Sequence, residues 1–306
     1  MTEDVQKTEL EFLEGLVKHK LLIPTGVPGV FGKSATFEGI IEKFDQRITR
    51  EGRGDNAEVM RFPPLLNRAS FEKSEYLKSF PHLAGAVHSF SGTEAQHKEL
   101  LAKVEAGADW SAGLAKTDVV LTPAACYPVY PTLSGVLLPE GGRLVDVYSF
   151  CFRHEPSSDP ARMQMFRMRE YIRIGEPATV QGFRETWLER GKRMMGGLGL
   201  DIDVVDANDP FFGRGGKMLA MNQRDQHLKF ELTAPICSVA RPTALLSFNY
   251  HQDHFGLLFD IRTAKNEVAH TACVGFGMER VALALIKKHG FAPVEWPAGV
   301  RSELAL

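Results

Sequence analysis

From residue 119 onward the chain runs through short apolar segments, VVLTPA, RLVDVYSFCF, IDVVDA, HLKFELTA, TALLSFNY and FGLLFDI, each closed by turn-forming residues. Runs of this length, rich in Val, Phe, Tyr and Thr, read as β-strands. Only two helical patterns interrupt or follow them, at 183–196 and 278–289. So many strands with so few helices between them do not make alternating βα units. The arrangement that buries them is a mostly antiparallel sheet flanked by helices, an α+β fold. Upstream, residues 36–51 place apolar side chains at helical spacing, and Gly52 and Gly54 stop the pattern. Residues 58–62 are strand-like and end at Pro63 and Pro64, whereas 93–117 are polar and helical, most clearly over 96–105. The 306 residues are enough for a full core, and no Pro-, Gly- or Ser-rich linker divides them. A single domain over 1–306 is expected, with a short N-terminal extension at 1–35 and a helical insertion at about 93–117.

Charge narrows the function. Lys plus Arg number 36 and Asp plus Glu 38, a formal charge of −2. A protein whose main task is gripping a polyanion carries a basic excess or tail, so RNA is disfavoured as the principal partner. The charged N-terminus reads as an exposed amphipathic helix, not a signal peptide. No apolar run reaches the ~18 residues of a membrane span, so a cytoplasmic protein is expected. The four cysteines, Cys126, Cys151, Cys237 and Cys273, lie far apart without a CxxC. In a reducing compartment such thiols are core residues, metal ligands or reactive groups; Cys151 and Cys237 read as core.

Three constellations could carry chemistry. The first is Phe152-Arg153-His154-Glu155, followed by a polar loop with Arg162 and then by Phe166-Arg167-Met168-Arg169-Glu170. Arg153 and Glu155, two apart on a strand, would share a face, and a returning strand would bring Phe166 over it. A guanidinium for phosphate, a carboxylate for an adenine amine and a ring to stack are what a nucleotide needs. The same letters also fit a surface hairpin with solvated charges. The second is CVGFGMER, where a strand ends in Gly275 and Gly277 and enters a helix with Arg280 in its first turn. Glycines there let backbone approach a ligand, although a plain strand-to-helix junction looks the same. The third is Cys126, Glu170 and Cys273, each on or beside a strand segment. Two thiolates and a carboxylate with an open fourth position would suit a catalytic zinc, while each cysteine alone reads as a buried thiol.

In order, VMRFPPLL, CFRHE…FRMRE and VGFGMERVALAL resemble motifs 1, 2 and 3 of class II aminoacyl-tRNA synthetases over about residues 36–290. Within that group the segments LTPAACYP, MRE and TACVGFG resemble the metal-binding places of zinc-dependent, methanogen-type seryl-tRNA synthetases. Only ~35 residues precede the motif 1 helix, too few for a tRNA-gripping domain. The truncated, zinc-binding form resembles the amino acid:[carrier protein] ligases, which have an insertion between motifs 1 and 2. This resemblance implies activation of glycine or alanine with ATP and Mg2+, and transfer to the phosphopantetheine thiol of a carrier protein, with no tRNA. It implies one Zn2+ on Cys126, Glu170 and Cys273, with Glu170 also meeting the amino acid. It implies Arg153 and Arg280 as catalytic phosphate clamps, and an ATP site completed by Glu155, Arg162, Met163, Phe166, Lys229, Ala244, Leu245, Leu246, Ser247 and Gly277. Motif 1 implies a homodimer. The carrier would dock on 93–117 through His97, Lys98 and Lys103, with the helix at 183–196 (Arg184, Arg190, Arg193) as second choice. One departure stands out. Where seryl-tRNA synthetases have a magnesium-binding glutamate before motif 3, TALLSFNYHQD has no acid until Asp253, which leaves the magnesium ligand open. A minimal aminoacyl-tRNA synthetase and a non-catalytic regulatory paralogue are the alternative functions.

Overall fold

The computed structural model describes residues 2–306. In chain order its elements are α1 (Thr2–Lys18), β1 (Leu22–Pro24), β2 (Phe31–Lys33), α2 (Ala35–Gly52), β3 (Glu58–Met60), β4 (Leu65–Asn67), α3 (Arg68–Lys73), α4 (Tyr76–Ser79), β5 (Ala86–Ser89), α5 (Glu94–Glu105), β6 (Ala115–Leu121) and α6 (Val129–Thr132). They continue with β7 (Arg143–Phe152), β8 (Met165–Gly175), α7 (Pro177–Gly197), β9 (Asp203–Asp206), α8 (Gly213–Asp225), β10 (Lys229–Ala234), β11 (Thr243–Gln252), α9 (His254–Phe259), β12 (His270–Gly277), α10 (Met278–His289) and α11 (Ala298–Leu304). The main sheet has seven strands in the order β3-β7-β8-β12-β11-β10-β9. All its pairings are antiparallel except β3 with β7. The expected α+β fold, a mostly antiparallel sheet flanked by helices, is what forms.

Helix α2 follows from its letters. Ser34 caps it by accepting from the Phe37 N–H at 3.3 Å. Its Phe37, Ile40, Ile41, Phe44 and Ile48 form one buried stripe. That stripe packs with α7, α10 and α11 on one face of the sheet, the larger core. Gly191 lets α7 lie close to the strands, because a Cβ there would stand 2.8 Å from the Phe248 ring. On the opposite face α6 and α9 cover only part of β7, β8 and β12. The uncovered remainder of that face is the floor of a cleft. Residues between β4 and β6 build a small three-stranded sheet with α3 and α4, whose own core of Phe71, Tyr76 and Leu83 walls the cleft.

Three local expectations are corrected. The run at 255–261 is mostly helix α9, not a strand; a short apolar run has no periodicity that separates the two. Gly256 is what lets α9 pack there, since a Cβ on it would fall 2.0 Å from the Ala269 carbonyl oxygen. The insertion is helical over Glu94–Glu105, but 115–117 belong to β6. Arg153 and Glu155 are not on a strand: β7 ends at Phe152, and the Glu155 N–H donates to the Arg153 carbonyl at 2.8 Å in a tight turn.

Candidate active site

Strand alternation builds the cleft floor. β8 presents Phe166, Met168 and Glu170, β12 presents Cys273, Gly275 and Gly277, β11 presents Ser247 and Asn249, and β10 presents Lys229 and Glu231. Register sets Glu170, Gly275 and Ser247 in one row across three strands, with Asn249 beside Cys273 in the next. A bulge between Tyr250 and Gln252 returns His251 to the same side. Gly275 must be small: its Cβ would meet Ser247 Oγ at 3.0 Å and Met168 Cε at 3.4 Å.

One end of the cleft is cationic. Arg280, in the first turn of α10, donates through Nε to the Ala161 carbonyl at 3.0 Å and through Nη1 to the Ala244 carbonyl at 3.1 Å. Backbone carbonyls hold it, and no carboxylate lies within 4 Å among the described ion pairs. Burial, then Arg153 and Arg162, push its pKa down. Two guanidiniums so placed favour an anion between them. Arg153 donates from Nε to the Pro123 carbonyl at 3.1 Å, with its guanidinium 5.5 Å from the Phe166 ring centre. Ala244, Leu245 and Leu246 line the same end, with buried Met163. Arg162 stands beside the cleft, half-exposed, 3.5 Å from Glu155 and 3.8 Å from Asp159.

Lys229 is placed differently from a free phosphate ligand. Its ammonium sits 2.6 Å from Asp209 and 3.1 Å from Glu231. Burial works to lower its pKa, but the two carboxylates outweigh burial and raise it. Asp209 is likewise opposed by burial and held below its usual range chiefly by Lys229. Two carboxylates thus flank Lys229, whereas the segment before motif 3 has no acid until Asp253. Glu231 pairs in register with Ser247, so a carboxylate reaches the cleft from the neighbouring strand. Alternation from Lys229 to Glu231 was the available signal; Asp209 lies in a loop and had none.

At the other end, ligand atoms of Cys126, Glu170 and Cys273 all lie within 4.8 Å of one another, and all three residues are buried. Glu170 Oε1 accepts from the Ala125 N–H at 2.9 Å. Asn249 Nδ2 donates to Cys273 Sγ at 3.3 Å, and His251 Nε2 is 3.7 Å from the same sulfur. Burial, then the charge of Cys273, raise the Glu170 carboxyl to about 8. Cys126 is pushed well up, first by its contact with Cys273, while the same contact and His251 pull Cys273 well down. Three acidic groups facing one another in a dry site are poised for a divalent cation, and a sulfur–sulfur–oxygen donor set fits zinc. The Tyr130 hydroxyl, buried beside them without a hydrogen-bond partner among the described residues, fits a site whose chemistry includes a further ion.

The structure thus brings Arg153, Glu155, Met163, Phe166, Lys229, Ala244, Leu245, Leu246, Ser247, Gly277, Arg280, Cys126, Glu170 and Cys273 into one cleft. It does not bring His97, Lys98 and Lys103 there. They sit on α5, which buries no residue, with Lys98 3.4 Å from Glu94. The second-choice helix is largely committed: Arg184 is buried against Phe230, and Arg190 and Arg193 pair with Asp55 and Glu51. Cys151 is a core thiol, whereas Cys237 is only half-buried, 3.8 Å from Asp159. Residues that sequence reasoning missed include Tyr76, Phe80 and Tyr127, which enter the cleft from the side of the small sheet.

No protein-family model matches the chain. Amino acid–[acyl-carrier-protein] ligase 2 of Bradyrhizobium diazoefficiens is 48% identical over 282 residues, covering 92% of this chain and 84% of that protein. Ligase 1 of the same organism is 48% identical over 288 residues, 94% of this chain and 88% of that protein. The type-2 serine–tRNA ligase of Methanopyrus kandleri is 32% identical over 193 residues, 58% of this chain and 36% of that protein. Among solved structures, M. kandleri SerRS in complex with A. aeolicus tRNASec superposes with a TM-score of 0.81 at 21% identity, over 96% of this chain and 60% of that one. The expected class II synthetase core is therefore the fold. Because the likeness to the two Bradyrhizobium proteins, at 48% identity, runs through more than nine-tenths of the chain, the chain belongs to the amino acid–[acyl-carrier-protein] ligase family.

Proposed function

We propose that the chain activates glycine or alanine with ATP as an aminoacyl adenylate and passes the aminoacyl group to the phosphopantetheine thiol of a small carrier protein. One observation carries this reading: a single cleft joins carbonyl-held, half-buried arginines at one end to the Cys126–Glu170–Cys273 cluster at the other. The names of the Bradyrhizobium relatives point to the same acceptor class.

Arg153 lies where the α-phosphate would gather charge as the amino acid's carboxylate oxygen attacks phosphorus and pyrophosphate leaves. Arg280 holds the far phosphates, and Glu155 and Phe166 frame the adenine, with Arg162 and Met163 closing that side. Gly277 and the backbone of 244–247 leave room for the nucleotide. Glu231 and Asp209, both fixed by Lys229, are the carboxylates available to a magnesium ion. Zinc on the cluster, when bound, supplies a Lewis-acid position for the neutral amine of the substrate. Glu170 and its neighbours then orient the amino acid with its carboxylate toward Arg153. In the second half-reaction the carrier thiolate attacks the carbonyl carbon, a thioester forms and AMP leaves. Such a site works by positioning and charge neutralisation.

The carrier is taken to dock on α5 through His97, Lys98 and Lys103. Exposed Leu101, Val104 and Trp110 add apolar surface beside these cations, a combination suited to an acidic helical partner. A C2 homodimer in the cytoplasm completes the proposal, with no tRNA; no helix among the described residues is long and apolar enough to cross a membrane. The test is ATP–pyrophosphate exchange across all amino acids, followed by transfer of labelled glycine or alanine to holo-carrier, apo-carrier and total tRNA. Exchange with a small amino acid and label on holo-carrier alone are expected. Label on tRNA, or equal label on apo- and holo-carrier, overturns the acceptor.

A further inference from the structure

Metal ligands are held in place by outer hydrogen bonds, and two of the three ligands here already have theirs. Glu170 accepts from the Ala125 N–H at 2.9 Å, and Cys273 accepts from Asn249 at 3.3 Å. Cys126 has no such donor from outside the cluster among the described residues. Tyr130 stands four residues further on, in α6, where the Val129 N–H bonds the Cys126 carbonyl at 3.0 Å and folds the chain back on itself. Its ring is fully buried and stacked on Phe255, with centroids 3.9 Å apart and planes 7° from parallel. His251, the neighbour of Cys273, meets the same ring edge-on at 6.5 Å. The packing leaves the hydroxyl buried and without a hydrogen-bond partner among the described residues.

We propose that Tyr130 is a positioning residue of the metal centre: its hydroxyl is the outer donor to the Cys126 thiolate, completing one outer hydrogen bond for each of the three ligands. The inference rests on Cys126, Glu170 and Cys273 holding zinc. Two observations carry it, the unmatched ligand and the unmatched hydroxyl on the same turn of chain. A supporting one is that burial, followed by the charges of Cys126, Cys273 and Glu170 and by a side-chain contact with Cys126, raises the phenol's pKa, which puts the hydroxyl beside that sulfur. A neutral phenol in a dry site is costly when unpaired and strongly bonding when a thiolate accepts from it.

This has a two-sided consequence. Removing the hydroxyl takes a donor from the metal-loaded protein but relieves an unpaired group in the metal-free one. The experiment measures zinc affinity by competition with a chromophoric chelator for wild type and Tyr130→Phe. It also records the visible spectrum of each cobalt-substituted protein and the melting temperature of each metal-stripped protein. Zinc affinity should fall about tenfold or more, and the thiolate-to-cobalt charge-transfer band should shift. Metal-stripped Tyr130→Phe should melt at or above metal-stripped wild type. Equal zinc affinity with an unchanged cobalt spectrum overturns the proposal. So does a variant that is destabilised without metal, because the hydroxyl would then be bonded elsewhere. Tyr130→Met, which keeps apolar volume, repeats the measurement if the phenylalanine variant is insoluble. Failure of wild type to bind zinc overturns the metal reading and this inference together, whereas wild-type binding with an indifferent variant overturns the inference alone.

Discussion

Arg280 is a residue whose proposed function can be separated from the fold. It is half-buried, held by two backbone carbonyls, and forms no ion pair within 4 Å among the described residues. Truncating it leaves no carboxylate orphaned, so the fold should survive. Arg280→Ala should nevertheless weaken pyrophosphate exchange by about 2–4 kcal/mol of transition-state stabilisation, the scale of an electrostatic clamp. Unchanged exchange kinetics in a folded variant would remove the arginine from the mechanism. Cys273 is the complementary case, since it sits within ligand distance of Cys126 and Glu170. Cys273→Ser should lose both bound zinc, measured by elemental analysis, and adenylation. Full activity after exhaustive chelation of wild type would contradict a catalytic metal.

Elements α9 and α5 make opposite demands on the chain. α9 approaches β12 so closely that Gly256 has no room for a Cβ, the nearest backbone oxygen being 2.0 Å from where one would stand. Gly256→Ala must therefore move backbone, and a loss of about 1–3 kcal/mol is expected from denaturant midpoints. Because α9 carries Phe255 into the cleft wall, the KM for the amino acid should rise as well. α5 buries nothing, and its Lys98–Glu94 contact is exposed on both sides. Charge reversal there, Lys98→Glu with Lys103→Glu, should change stability by less than about 0.5 kcal/mol. The same double variant should leave pyrophosphate exchange intact and slow transfer to the carrier. Normal transfer rates would move the docking surface elsewhere.

At the scale of the whole molecule, the sheet ends in β3, a three-residue edge strand whose Val59 is 63% exposed. Leu65, 42% exposed, and Phe150, 40% exposed, are further apolar side chains open to solvent. A short, apolar, uncovered edge is a surface for a second copy. Sedimentation at micromolar concentration should show a dimer; a stable monomer would contradict the expected association.

Much of this was legible in the letters because it rests on local rules. Strand alternation placed Phe166 and Glu170 on one face, helical spacing gave the buried stripe of α2, and the order of three motifs specified a class II core. The chemistry of the donors was also legible, since two thiolates and a carboxylate make a donor set that suits zinc. That they do meet, within 4.8 Å, is a matter of register between strands distant in sequence. Tertiary structure alone placed Arg153 and Glu155 in a turn and made 255–261 mostly helix. It also surrounded Lys229 with Asp209 and Glu231. Each of those outcomes depends on which backbone or carboxylate comes near from elsewhere in the chain. Periodicity reports which face a side chain takes, and only packing decides what it faces.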